Sequence, residues 1–335
     1  MPWLRRHPVF GFFVVAYAIA WAVWIPMAVA GIRVHQGDAW PTHIPGLAGP
    51  FVAAFVMSAV LGGRRGVRDL LARMGRWRVS PKWYLVALSP LAFFALAAAA
   101  LALIDRAPDL RELMRFSGLP TVWPVVMWIL LLGTGYLEET GWRGYAVPQL
   151  QGTRSMVSSA VIIGALWACW HVPSMFVIQN YRDLGVGFMP GFLIGIMAGS
   201  IFLTWLYDGS GGSVLIVAVW HATYNLVAGT AAAHGPVAAI VSTAVMVWAV
   251  VIVVIELRRT SVHPPSAPRR WSLTPVTVRN VASRWPHAIR ASAIVPPPED
   301  GAVLVMTPAS APSSVTTSPA RTGRSEPSRS NTRRG

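Results

Sequence analysis

The sequence predicts an all-α fold, a polytopic transmembrane bundle of about eight helices followed by a disordered C-terminal tail. Three observations predict it. Of 335 residues 54% are hydrophobic and only 12% charged, a balance more apolar than that of soluble globular domains. Apolar runs of bilayer-crossing length, about 20 residues, recur through the first 257 positions, and the charges between them gather in a few segments.

The runs lie near Pro8–Ala30, Pro45–Leu61, Trp83–Ile104, Thr121–Leu137, Ser155–Val177, Val186–Tyr207, Ser213–Gly229 and Pro236–Leu257. The first follows Arg5, Arg6 and His7 and ends in Ala28-Val29-Ala30, a sequence compatible with signal-peptidase cleavage. Its length exceeds the ~7–15 residues of a signal h-region, and seven more runs follow, so it reads as an uncleaved anchor. The fourth continues to Leu150 if the helix carries Glu138, Glu139 and Arg143 through, reversing at Gln151–Arg154. Residues 1–257 thus form the bundle, and residues 258–335 are a Pro/Ser/Arg-rich segment without the apolar content to build a core. Trp3, Trp40, Trp77 and Trp83 fall near expected interfaces and read as belt anchors.

Charge placement sets orientation and partners. Arg64, Arg65, Arg68, Arg73, Arg76, Arg78 and Lys82 separate the second and third runs, against Asp69 alone, whereas residues 31–44 hold only Arg33 and Asp38. The positive-inside rule therefore puts both termini and the basic loop in the cytoplasm. Of the net charge of +15, +9 sits in the tail, where twelve Arg face Glu299, Asp300 and Glu326. The basic loop and tail suit anionic lipid headgroups, and no folded basic module with stacking platforms points to nucleic acid. With 27 Arg to one Lys and abundant Ala, Val and Gly, the chain reads as bacterial, which places it in the plasma membrane. The single cysteine, Cys169, excludes an internal disulfide and reads as a small packing residue. No internal repeat stands out, and oligomeric state is not legible.

The unusual feature is polar. Leu131–Tyr145, LLGTGYLEETGWRGY within its wider run, puts Glu138, Glu139 and Arg143 where hydrocarbon is expected. A charge at the bilayer centre costs at least ~2.5–3.5 kcal/mol and persists where it pairs, lines a wet cavity or does chemistry. On a helix Glu139 reaches Arg143 four residues on, while Glu138, about 100° away, is left to act on something else. Only His171 and His221, of eight histidines, fall inside apolar runs, and His221 shares a helix face with Asn225. Across an antiparallel hairpin, Glu138 and His171 differ in depth by about 6 Å. His221, about 12 Å beyond the loop Asp208–Gly212, meets them only if the fourth-to-fifth hairpin protrudes into the cytosol.

Taken in order, Glu138-Glu139-Thr140-Gly141-Trp142-Arg143, Trp167-Ala168-Cys169-Trp170-His171 and His221-Ala222-Thr223-Tyr224-Asn225 resemble the EExxxR, FxxxH and HxxxN motifs of the CPBP intramembrane proteases. That family includes the CAAX prenyl endopeptidases and the bacteriocin-processing or immunity proteins called Abi. Trp167 stands for the usual Phe, and the resemblance covers residues 121–229. It implies hydrolysis of a peptide bond in a membrane-associated protein or peptide. The implied catalytic set is Glu138, Glu139, Arg143, His171, His221 and Asn225, with Glu138 and His171 activating water and His221 and Asn225 stabilising the oxyanion. The alternative ligand set for a zinc ion, Glu138, His171 and His221, stands beside a metal-free glutamate route, and spacing does not choose between them.

Other chemistries fit less well. H-E-x-x-H is absent, and Asp208 stands alone where an aspartyl protease needs two. Ser210 or Ser213 with His221 would make a rhomboid-like dyad, although Gly-Ser-Gly-Gly is more simply a turn. The rival of another class is a non-catalytic immunity or scaffold protein of the same fold. A proton-coupled transporter would call for repeat symmetry.

Overall fold

Proline opens most of the helices. Its missing N–H costs nothing in the first turn and its fixed φ suits a helix start. Pro8, Pro81, Pro124 and Pro236 each begin one, and Ser155 and Ser213 cap two more by accepting from the amides of Ser158 and Ile216. The computed structural model describes residues 4, 6–185, 187, 189–233, 235–262, 273–275 and 304–306.

The order of the long elements is α1 (Pro8–Val29), α2 (Ala48–Met74), α3 (Pro81–Ala87), α4 (Ser89–Ala102), α5 (Pro124–Gly141), a π turn (Trp142–Ala146), α6 (Val147–Gln151), α7 (Met156–His171), α8 (Gln179–Leu184), α9 (Met189–Gly209), α10 (Val214–Ala228) and α11 (Pro236–Val262). Every apolar run is helical. Five stretches, Pro8–Val29, Ile44–Met74, Met156–Phe176, Met189–Gly209 and Pro236–Arg259, are long and apolar enough to cross a membrane, and α3 with α4, bent by 43°, makes a sixth. The expected count of about eight is compatible with this but is not reached by length and apolarity. The two helices that fall short carry two of the three motifs: α5 has two glutamates in its last turn and α10 has only 15 residues, most of them buried.

Other expectations are corrected. The basic segment after the second run is not a loop. After a break at Gly63, whose φ of 56° suits glycine, it is helical to Met74, because Val67, Leu70, Leu71 and Met74 recur at helical spacing and Leu70 is fully buried. Cys169 is exposed rather than packed inside. Trp40 and Trp77 are exposed as belt residues would be, whereas Trp83 packs edge-on against Trp205; Trp3 lies outside the described residues. Helix α11 runs past Leu257 to Val262. Otherwise the expected tail is described only at β1 (Leu273–Pro275) and β2 (Leu304–Met306), an antiparallel pair with Thr274 opposite Val305 in a unit of its own. The remainder of the segment expected to be disordered lies outside the described residues.

Within the bundle, α10 packs most extensively on α5, α1 on α2, α9 on α7 and α2 on α5. The anchor-like first run is part of this core: Trp24 is fully buried, the Tyr17 hydroxyl donates to Leu166 O, and the Trp21 indole donates to Trp170 O at 3.1 Å. Small residues let backbones close in, the usual device where lipid removes the hydrophobic drive between helices. A Cβ on Gly135 would come within 3.0 Å of Ala218 O on α10, and one on Gly141 within 2.4 Å of the Pro50 Cβ on α2. Gly141→Ala should therefore overpack the α2–α5 contact, costing about 1–3 kcal/mol. A lowered thermal midpoint of the purified protein is the expected result, while Gly133→Ala, which faces open space, should leave it unchanged.

Candidate active site

The fourth run bends its chemistry into place. Helix α5 stops at Gly141, and the next five residues, Trp142–Ala146, form a π turn, a one-turn irregularity that is frequent at functional sites. All five are buried. The wider turn carries Arg143 past the carboxylates before α6 restores the helix. At the end of α6 Gln151 donates from Nε2 to the Asp208 carboxylate at 2.7 Å. The two turns thus sit at one level, and the protruding hairpin expected from residue counting is not formed. The π turn gains less height per residue than an α-helix, which removes part of the mismatch.

Glu139 is the hub. Its Oε1 accepts from Arg143 Nη1 at 3.0 Å and from His221 Nδ1 at 2.8 Å, and neither the carboxylate nor the guanidinium has any exposed surface. The expected Glu139–Arg143 pair is therefore present, and His221 joins it from α10. With Nδ1–H committed to Glu139, His221 turns Nε2 towards Glu138 Oε1, 3.9 Å away. Glu139 Oε2 and Arg143 Nε and Nη2 have no protein partner among the described residues.

Glu138, expected to be free, is held on one side only. Its Oε2 accepts the indole N–H of Trp167 at 2.9 Å. The same indole lies 4.8 Å from the Arg143 guanidinium carbon, centroid to carbon, and 5.8 Å and 5.9 Å from the rings of His221 and His171. His171 donates from Nδ1 to Trp167 O at 2.9 Å, which leaves Nε2 as its open nitrogen. It lies within electrostatic range of Glu138 and His221 but hydrogen-bonds neither. Asn225, one turn beyond His221, is half-buried, and among the described residues no side-chain hydrogen bond holds its carboxamide. The structure thus brings Glu138, Glu139, Arg143 and His221 into one contact network, sets His171 at its edge, and leaves Asn225 one helical turn away. Among the described residues no three His, Cys, Asp or Glu side chains are grouped to hold a metal ion, so the donor set as it stands does not fit a zinc site. Ser213 spends its hydroxyl on Arg76 O and the Ile216 amide, and Ser210 on Tyr207 O, so neither pairs with His221.

Residues 120–227 match the family model described as type II CAAX prenyl endopeptidase, Rce1-like. Over 226 residues the chain is 24% identical to the CAAX prenyl protease 2 of Methanococcus maripaludis, an alignment covering 64% of this chain and 82% of that protein. Over its motif region the chain is thus similar to the CAAX proteases. The family match spans all three motifs, and together the two matches support an integral membrane endopeptidase.

Two features of this site were not read from the sequence. One is the Trp167 hydrogen bond, for which the only signal was an aromatic residue four before His171. The other is His43, outside the apolar runs and just before Pro45. It is buried, its Nδ1 has no partner among the described residues, and its carbonyl accepts from the Trp24 indole at 2.8 Å. Gly118, at φ 76°, makes room for it: a Cβ there would fall 2.9 Å from Nδ1. Burial pushes the His43 pKa down to about 4, and His171 nearby pushes the same way.

Because that value lies below the ordinary 6.5, the unfolded chain takes up this proton first. The stability His43 contributes as a neutral group is complete above pH 6.5 and is lost as pH falls towards 4, about 3 kcal/mol in all. The thermal midpoint of the wild-type protein should therefore drop more steeply from pH 6.5 to pH 4 than that of His43→Gln. Arg143→Met should cost about 3–5 kcal/mol by leaving the Glu139 charge without its cation. Adding Glu139→Leu to that variant should recover part of the loss, read as thermal midpoints in detergent.

Proposed function

We propose that the chain hydrolyses a peptide bond in a membrane-anchored protein or peptide, with Glu138 as the base that activates water. The observation that carries this reading is the 3.9 Å gap between Glu138 Oε1 and His221 Nε2, a separation suited to two groups sharing a water or a substrate oxygen rather than bonding each other. Glu138 takes a proton from the water as its oxygen adds to the carbonyl carbon, and the carbonyl π electrons move onto oxygen. Collapse of that tetrahedral species breaks the C–N bond, and Glu138 returns the proton to the leaving amine. His171, with Nε2 open, shares in holding the water. His221 and Asn225 stabilise the oxyanion, and Glu139 with Arg143 fixes the His221 ring, as an outer carboxylate does for a catalytic imidazole.

The buried cost of Glu138 supports catalysis over a purely scaffolding role, since a scaffold gains nothing from a carboxylate in an apolar bundle. The M. maripaludis relative is named a prenyl protease, and a lipid-anchored peptide is the substrate class proposed here. For a chain of bacterial character the lipid anchor, rather than a prenyl group in particular, is the shared chemistry. Anionic headgroups are the proposed partner of the basic end of α2, with the cytoplasm on that side.

Glu138→Gln should lower the turnover of a fluorescence-quenched, lipid-anchored peptide by roughly 10²–10⁴-fold, and His221→Ala by roughly 10²–10³-fold. His171→Ala should lose cleavage as well, with the thermal midpoint of Glu138→Gln and His171→Ala retained. Normal cleavage by these variants would remove Glu138 and the two histidines from the mechanism, and no cleavage by the wild-type protein would leave the scaffold reading. The water-only route further predicts that activity survives exhaustive chelation. Loss on chelation, restored by Zn²⁺, would instead assign Glu138, His171 and His221 to a metal. Comparing membrane peptides from cells with and without the chain by mass spectrometry would identify the substrate.

A further inference from the structure

We infer that Trp167 is a positioning residue whose indole N–H aims the Glu138 carboxylate, a task that the phenylalanine usual at this motif position has no group to perform. The inference rests on the reading of Glu138 as the base. A glutamate side chain turns easily about its last torsion, so in a pocket with one hydrogen-bonding neighbour the choice of which oxygen faces substrate has to be imposed. Here Trp167 holds Oε2 at 2.9 Å and leaves Oε1 facing His221 Nε2 at 3.9 Å. Both residues are buried, with 7% and 5% of their surface exposed, so Oε2 has little access to replacement by solvent.

The indole performs two separable jobs. Its ring packs on the Arg143 guanidinium and against both imidazoles, which a phenyl ring would largely reproduce. Its N–H goes to the carboxylate, which a phenyl ring would not. That use of the N–H is selective. The buried indoles of Trp142, Trp170 and Trp220 leave theirs without a protein partner among the described residues. Trp167 is also tied to the second histidine, since its own carbonyl accepts from His171 Nδ1 at 2.9 Å. One turn of α7 therefore sets the direction of the carboxylate through its side chain and of His171 through its backbone.

Trp167→Phe, Trp167→Ala, Glu138→Gln and the Trp167→Phe/Glu138→Gln pair, made in the full chain and assayed in proteoliposomes on a lipid-anchored quenched peptide, test this. Trp167→Phe should lower kcat roughly 10- to 100-fold, the range for losing a hydrogen bond to a charged group, with KM and thermal midpoint within about twofold and about 2 °C of wild type. Trp167→Ala should lose thermal stability as well, and Trp167→Phe should cost nothing further in the Glu138→Gln background. An unchanged kcat in Trp167→Phe while Glu138→Gln is inactive overturns the positioning role alone. A loss that repeats in the Glu138→Gln background, or that follows the thermal midpoint, overturns it as well. An active Glu138→Gln protein overturns the base reading and this inference with it. Independently of turnover, the indole ¹⁵N–¹H resonance missing from Trp167→Phe should move on Glu138→Gln, and a stationary resonance counts against the hydrogen bond.

Discussion

A carboxylate with no exposed surface governs this bundle. Glu139 would be untenable in an apolar interior by itself, because a buried unpaired charge costs several kcal/mol or more. It is tenable because one oxygen gathers Arg143 from its own helix region and His221 from α10. That requirement fixes which faces of α5 and α10 meet, and it sets the depth at which they meet. The functional geometry follows, since orienting the His221 ring through Nδ1 is what turns Nε2 towards Glu138.

Backbone details serve the same constraint. The π turn after Gly141 swings the guanidinium back over the carboxylates, and small residues at Gly135 and Gly141 bring α10 and α2 close enough for short side chains to touch across the interfaces. Two of the three motif helices, α5 and α10, fall short as independent membrane spans. Surrounding helices cover them, so their polar faces are turned inward and their lengths are set by packing rather than by bilayer thickness. A buried pair of this kind is a registry device as much as a source of stability: slipping α10 by one residue would rotate His221 about 100° away from Glu139.

The helical segments were legible because each apolar run is long and bounded by proline, serine or charge. The Glu139–Arg143 pair was legible because four-residue spacing on a helix dictates contact. The role of the basic segment after Gly63 was misread because arginine density masked a helical apolar stripe at Val67, Leu70, Leu71 and Met74. His43 was passed over because nothing local distinguishes it; its burial depends on Trp24 and Gly118, which are distant in sequence. Residue counting also failed for His221, since it assumed uniform α-helical rise through a segment that contains a π turn.

The sequence by itself determined that this chain is a membrane helix bundle and singled out two glutamates, an arginine, two histidines and an asparagine as the candidates for its chemistry, because hydropathy and helical periodicity are local properties. Only the tertiary structure decided which nitrogen and which oxygen face each other. It paired His221 rather than His171 with the carboxylates and gave Trp167 a hydrogen bond to Glu138 beside its packing role. Those choices depend on how three helices cross, and a crossing is set by the summed fit of many side chains that no single stretch of sequence contains.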